Sequence, residues 1–443
     1  MSFNPFLERS IAPDRLFMNW DKMQPRPYDK EDVDPYTRCR VILMNGAEFE
    51  AQWFSRNFSR HCPDNELRRE LALSRRSEQQ QQKRISALKP KEESILEHTI
   101  GYEQLAVDLT CALARQETDC NVINALHLAL LEDFDHLYRY SNLLNLEYGV
   151  YPEKITGGYT EITPGRPTIS EHRFPTDSIC HYADNRSADL KTKLNIGIIT
   201  AAEQQTMNYY MNTANLYPGR EEGRRMYQEI AMIEEQHVSQ YESLADPRAT
   251  WLENLLLHEY TECYLYYSCM LTETDEYIRR IWEESLAQEL AHLQKANELL
   301  QRYEQKDYQQ VVGEGTFPEI LSLGPNVEYV RLVLNTTVGN TQKMEHVVPL
   351  NALSHDDPFF LYQYAVNTPE EIVATHDIIQ QRIHCEGSDY RYETAENPVE
   401  ELRDRNCDNT SLGRIPDETP AQYSVCGTTQ DNCRCDFTED GCV

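Results

Sequence analysis

The 443-residue chain has no uninterrupted apolar run of about 18 residues, the length a membrane-spanning helix needs. Its first residues, Met1-Ser2-Phe3-Asn4-Pro5-Phe6, lack the basic and apolar regions of a secretory leader, so a cytoplasmic location is expected. Basic residues are scarce: 42 Lys and Arg stand against 73 Asp and Glu, a formal net charge of −31. So acidic a surface repels phosphate backbones, and neither nucleic acid nor a membrane is an expected partner. Cys-x-x-Cys is also missing. Most of the 13 cysteines stand singly, as Cys39, Cys111 and Cys263 do, which fits reduced thiols better than a secreted disulfide framework.

What is present is a core and a repeat. About 40% of the residues are hydrophobic, enough for a sizeable interior. Residues 1–92 read as an N-terminal arm followed by a polar helix over 64–86, which Pro90 ends. The arm is residues 1–34, and after it Arg40-Val41-Ile42-Leu43-Met44 before Asn45-Gly46 reads as a short strand or a buried turn. Residues 93–310 read as a helical bundle, 311–384 as a smaller mixed α/β region and 385–443 as a polar tail. In the mixed region Thr368-Pro369-Glu370-Glu371 has the cap, proline and acid of a helix start. The tail carries Cys426, Cys433, Cys435 and Cys442, whose spacing is open to a thiolate metal site, a redox relay, intermolecular disulfides or unpaired thiols.

Three helical hairpins, 93–144, 190–244 and 251–304, make the bundle a mainly α fold. In the third, Leu252, Leu255, Glu259, Glu262 and Tyr266 fall on one helical stripe. Ile278, Trp282, Leu286, Glu289, His292 and Ala296 fall on the returning one. The second repeats this with Ile199, Glu203 and Tyr210, then Tyr227, Ile230, Glu234, His237 and Tyr241. The first has Leu96, Thr99, Glu103 and Leu109, then Leu126, Leu130, Asp133, His136 and Tyr140. In each hairpin an acid precedes a second acid by 30 or 31 residues, and a histidine follows three later.

A carboxylate facing a helical core costs several kcal/mol unless it is paired or coordinated. The stripes offer few Lys or Arg to pair with. A pair of metal ions answers the need of all the acids together, because Glu-x-x-His sets an oxygen and a nitrogen one turn apart on one face. Oxygen and imidazole ligands suit iron or manganese.

At these residues the chain resembles the ferritin-like superfamily, and rubrerythrins most closely. The strongest stretches are His258-Glu259-Tyr260-Thr261-Glu262, Ile281-Trp282-Glu283 and Glu289-Leu290-Ala291-His292-Leu293. Glu259 and Glu262 look like the Glu-x-x-Glu of a rubrerythrin bundle helix. The resemblance spans 93–304 and implies a ferritin-like bundle holding two Fe ions, with Mn as the alternative. The metal ligands expected are Glu103, Asp133, His136, Glu203, Glu234, His237, Glu259, Glu262, Glu289 and His292. The chain departs from the family in having six bundle helices for four, Asp133 for Glu, and no Cys-x-x-Cys for a rubredoxin-like donor.

A ferritin-like bundle needs a long crossover between its hairpins. Residues 145–189 can supply one, whereas 245–250 cannot. The leading site therefore joins Glu103, Asp133 and His136 to Glu203, Glu234 and His237. The third hairpin is expected to pack beside the second, to displace it from the site, or to pair with a symmetry mate in a homodimer. Tyr102, Tyr209, Tyr210 and Tyr266 adjoin ligand positions, as core packing, electron relays or donors to ligand carboxylates. His98 is expected to be structural, and His258 to lie behind the ligands at most.

The function expected is that of a di-iron or di-manganese oxidoreductase, a rubrerythrin-like peroxidase. It would reduce hydrogen peroxide or dioxygen with an external electron donor. The alternatives are a metal-sequestering protein and a structural assembly protein without turnover.

Overall fold

The computed structural model describes residues 3–11, 15–162, 172–369 and 372–387. The four tail cysteines, and Glu370 and Glu371, lie outside the described residues. The chain is mainly helical, and eight long helices dominate it. They are α1 (Pro35–His61), α2 (Asn65–Ser86), α3 (Ile95–Ala114), α4 (Cys120–Tyr148), α6 (Leu190–Leu216), α7 (Glu221–Ser243), α8 (Trp251–Thr272) and α9 (Glu276–Glu304), with the short α5 (Glu153–Thr156) between α4 and α6. No described helix is long and apolar enough to cross a membrane.

Side-chain caps set most of the starts. Asp34 accepts from the Tyr36 amide with Pro35 in the first turn, Asp64 from Glu66 and Leu67, Asp119 from Asn121 and Val122, and Asp275 from Tyr277 and Ile278. Ser94 with Glu97, and Thr250 with Glu253, form reciprocal capping boxes. Short links at 62–64, 115–119, 217–220 and 273–275 fold the helices into four hairpins, α1–α2, α3–α4, α6–α7 and α8–α9.

The hairpins assemble in pairs. α3 packs on α6 and α4 on α7, forming an inner four-helix bundle; α1 packs on α8 and α2 on α9, forming an outer one. In chain order the inner bundle is inserted between the two hairpins of the outer. Residues 149–189 carry the crossover from α4 to α6, as the long irregular segment suggested. Within the chain the third hairpin has a four-helix partner that the sequence reading did not offer. It is α1–α2 of the same chain, although α8 also touches α6.

The expected strand or turn at 40–46 is instead the middle of α1. This helix contacts α2, α3, α6 and α8 together, and nearly every side chain from Tyr36 to Glu48 is buried. Burial on all sides removes the polar stripe that gives a helix its 3.6-residue period, and a short apolar run without that period reads equally as a strand. Gly46 sits where α1 meets α6: a Cβ there would lie 3.2 Å from the Ala201 carbonyl oxygen.

Residues after α9 pack on both bundles. α10 (Gln309–Val312) packs on α8, and α11 (Val327–Thr337) on α3 and α4. Strands β1 (Asn340–Lys343) and β2 (His346–Pro349) pair antiparallel with Asn340 opposite Pro349. α12 (Pro358–Val366) follows, and α13 (Ala374–Glu386) packs on α7 and α4. That last helix begins at Ala374 after Val373, not at the Thr368-Pro369 signal. The N-terminal arm is pinned by aromatic contacts, Phe3 on Tyr267 at 4.4 Å and Phe6 on Tyr308 at 3.8 Å.

A buried ionic knot ties this arm to α1 and α3. Glu93 accepts from the Tyr28 hydroxyl at 2.8 Å and from Arg38 Nε at 3.1 Å, and meets His98 Nδ1 at 2.6 Å. His98 is thus structural, as expected. Burial holds its ring pKa below the ordinary range, so Arg38 supplies the positive charge. Burial works against the ionised Glu93, yet the His98 hydrogen bond and the Arg38 guanidinium outweigh it and lower the pKa to about 2. A depressed carboxyl stabilises the fold above its unfolded pKa and loses that contribution as pH falls through the folded value. Glu93→Gln should therefore cost about 3 kcal/mol at pH 7. The deficit should shrink as pH falls from about 4.5 towards about 2. Urea denaturation of both proteins across that range checks it; a deficit independent of pH would contradict the ion-pair account.

Candidate functional site

The inner bundle brings six predicted ligand residues to one place. α3 supplies Glu103, α4 supplies Asp133 and His136, α6 supplies Glu203, and α7 supplies Glu234 and His237. None is more than 1% exposed. Ligand atoms of Asp133, Glu203, Glu234 and His237 lie within 4.8 Å of one another, and so do those of Glu103, His136 and Glu234. The two groups share Glu234. Its carboxylate stands between the imidazoles, with Oε1 3.0 Å from His136 Nδ1 and Oε2 3.0 Å from His237 Nδ1.

The surroundings orient these groups. His237 Nε2 lies 2.6 Å from Glu132, so the N–H on that side is committed to Glu132 and Nδ1 faces the cluster. Nδ1 is also 3.4 Å from Asp133 Oδ1 and 3.8 Å from Glu203 Oε2. Glu132 is itself held by Arg173, whose Nη1 donates at 2.7 Å and whose Nη2 reaches Gln240 at 2.9 Å. Arg173 comes from the crossover, so the long connection packs behind the ligand it helps to set. The Tyr210 hydroxyl donates to Glu103.

The charge is unbalanced. Neither oxygen of Asp133 or of Glu203 accepts a hydrogen bond, and Glu103 Oε2 is likewise unpartnered. No lysine or arginine pairs with Glu103, Asp133, Glu203 or Glu234 among the described residues. Burial and then repulsion between neighbouring carboxylates push Glu103 and Asp133 well above the ordinary carboxyl range and Glu234 up to about 8. Burial opposes charge on His237, but the hydrogen bonds to Glu132 and Glu234 and the negative charge of Asp133 outweigh it and raise its pKa. A cation among these groups would relieve all of these penalties at once.

The other four predicted ligands, Glu259, Glu262, Glu289 and His292, are not part of this cluster. They gather in the outer bundle with residues that sequence reasoning missed: Glu48 of α1, and Glu78 and Gln81 of α2. His292 Nδ1 is 3.1 Å from Glu289 and 3.9 Å from Glu259. Gln81 donates to Glu289 at 2.6 Å, and the Tyr266 hydroxyl donates to Glu48. His258 Nε2 stands 3.6 Å from Glu262, and its ring stacks on Phe54. The signal for the missing hairpin was in the sequence: Glu48 precedes Glu78 by 30 residues, and Gln81 stands where the other hairpins have histidine.

Among the tyrosines, Tyr210 and Tyr266 bond to cluster carboxylates. Tyr102 and Tyr209 stack on each other at 4.5 Å, and the Tyr102 hydroxyl accepts from Gln205, as core aromatics do. Neither protein-family models, curated proteins nor solved structures yield a match to this chain.

The Arg173–Glu132 pair is fully buried, so removing one partner strands the other. Arg173→Met should destabilise the protein by about 3–5 kcal/mol. Adding Glu132→Gln should recover a large part of that loss. Denaturant midpoints of the two single variants and the double variant check this; additive losses would mean that the pair is not coupled.

Proposed function

We propose that the inner cluster is a two-metal centre of the ferritin-like type, and that the protein is an oxidoreductase reducing hydrogen peroxide or dioxygen with an external donor. The observation that carries this reading is the pair Asp133 and Glu203, buried carboxylates whose oxygens accept no hydrogen bond, pair with no Lys or Arg among the described residues, and have His237 as their one nearby nitrogen. Such groups are tolerated when they coordinate an ion. The donor set fits iron, with manganese as the alternative, since carboxylates and imidazoles are present and no thiolate is. Asp133, Glu203 and His237 would hold one ion, Glu103 and His136 the other, and Glu234 both. When bound, a pair of such ions supplies reversible one-electron redox capacity and open positions for a small oxidant.

The chain's own residues do the rest. Glu132 and Arg173 fix the His237 ring so that Nδ1 stays turned to the cluster. Tyr210 holds Glu103 by its hydroxyl and places a proton donor beside that carboxylate. Burial of all six side chains limits access to small reactants, which suits peroxide or dioxygen. The ferritin-like assignment rests on the Glu and Glu-x-x-His pattern, and the choice of peroxide on analogy with rubrerythrins.

Two outcomes follow. Metal binds the folded bundle better than the unfolded chain, so chelation should lower the melting temperature by several degrees. Calorimetry before and after confirmed metal loss checks this, and an unchanged melting point would contradict a core site. Reduced, metal-loaded protein should be oxidised by hydrogen peroxide within about seconds, followed optically, and Glu234→Ala or His237→Ala should abolish the change. If peroxide leaves the reduced wild-type metal unchanged, sequestration replaces catalysis as the reading. If only Glu289→Ala and His292→Ala matter, the reactive ions sit in the outer bundle.

A further inference from the structure

The outer cluster repeats the inner one position by position. Its leading acids are Glu48 and Glu259; thirty residues on stand Glu78 and Glu289; three further stand Gln81 and His292. The supporting hydroxyl recurs too. Tyr266 follows Glu259 by seven residues and donates to Glu48, as Tyr210 follows Glu203 by seven and donates to Glu103. Ligand atoms of Glu78, Glu259 and His292 lie within 4.8 Å of one another, as do those of Glu259, Glu262 and Glu289; Glu259, the equivalent of Glu203, is shared here, whereas the inner bundle shares Glu234.

Residues of this cluster carry buried groups in need of a partner. Glu262 is 1% exposed, and neither of its oxygens accepts a hydrogen bond. His292 Nε2 and Gln81 Oε1 are equally buried and unpartnered. Among the described residues no lysine or arginine pairs with Glu48, Glu78, Glu259, Glu262 or Glu289. We propose that the outer bundle holds a second, separate metal centre, formed by α1 and α2 with α8 and α9, which favours hard divalent cations of the Mn2+ class. It extends the reading given for the inner cluster and uses the same carboxylate chemistry.

The two centres differ in ligand character. Each inner group contains one imidazole. In the outer cluster a carboxamide, Gln81, takes the place of one histidine, and Glu262 adds a carboxylate at a point where the inner bundle has Thr206. One outer group thus has an imidazole and the other, Glu259, Glu262 and Glu289, has oxygen donors alone. Carboxylate oxygens suit manganese and similar hard ions, while imidazole favours iron, copper and zinc. The all-oxygen half should therefore load Mn2+ and discriminate poorly in favour of Zn2+.

The test is Mn2+ binding to the full chain after chelator stripping, read by electron paramagnetic resonance of free Mn2+ and by elemental analysis. Wild type should take up about four ions per chain, Glu262→Gln about three, and Glu234→Ala/His237→Ala about two. Glu262→Gln is isosteric, and circular dichroism checks its fold; Glu78→Gln is the second variant should it fail to fold. The proposal is overturned if Glu262→Gln or Glu78→Gln binds as wild type does, or if Glu234→Ala/His237→Ala removes all binding. If the inner variant binds as wild type does while Glu262→Gln loses an ion, the inner reading fails and the outer one stands.

Discussion

Carboxylates buried without positive partners are the constraint on which the rest of this structure depends. An isolated ionised carboxylate cannot remain in a helical core: it must gain a proton, a cation or a set of donors. In the inner bundle Glu103, Asp133, Glu203 and Glu234 converge around two imidazoles, and the positive charge that other buried acids of this chain receive from arginine is missing. Glu93 shows the alternative solution, with Arg38 beside it and its pKa depressed. Glu132 shows it again, paired with Arg173 directly behind His237. The fold thus pairs the acids that orient and leaves unpaired the acids that converge.

The same constraint explains the architecture. Each hairpin offers one acid on its first helix (α8 offers two) and an acid with an imidazole or amide side chain on its second, which is half a cluster. Halves must meet in pairs, and a chain with four of them forms two bundles. Because the inner pair is inserted between the outer hairpins, α1 must serve the outer bundle and also lie against α3 and α6. Its burial on all sides and the close approach at Gly46 follow from that double duty.

The chain's periodicity and caps made the helices of the three histidine-bearing hairpins legible. The long crossover made the pairing of the first with the second legible, since a tight six-residue link could not reverse the order of the bundle. The fourth hairpin was hidden by two physical circumstances. The apolar run at 40–46 has no polar face because neighbours surround it, and Gln81 replaces the histidine that marks the other three. The orienting residues Glu132 and Arg173 were invisible for a different reason. They act across 41 positions of sequence through a segment with no periodic pattern, and only the folded chain brings them together.

Two clusters of one design but unequal ligand sets suggest a division of labour within one chain, the inner with two imidazoles and the outer with one. The most direct test of the central claim is anomalous X-ray scattering from crystals of the full-length protein, recorded on either side of the iron and manganese absorption edges. The account predicts paired anomalous peaks beside Glu234 in the inner bundle and beside Glu259 in the outer. Protein purified with iron and manganese present that shows no peak at either place, its carboxylates bonded instead to water or to one another, would contradict it.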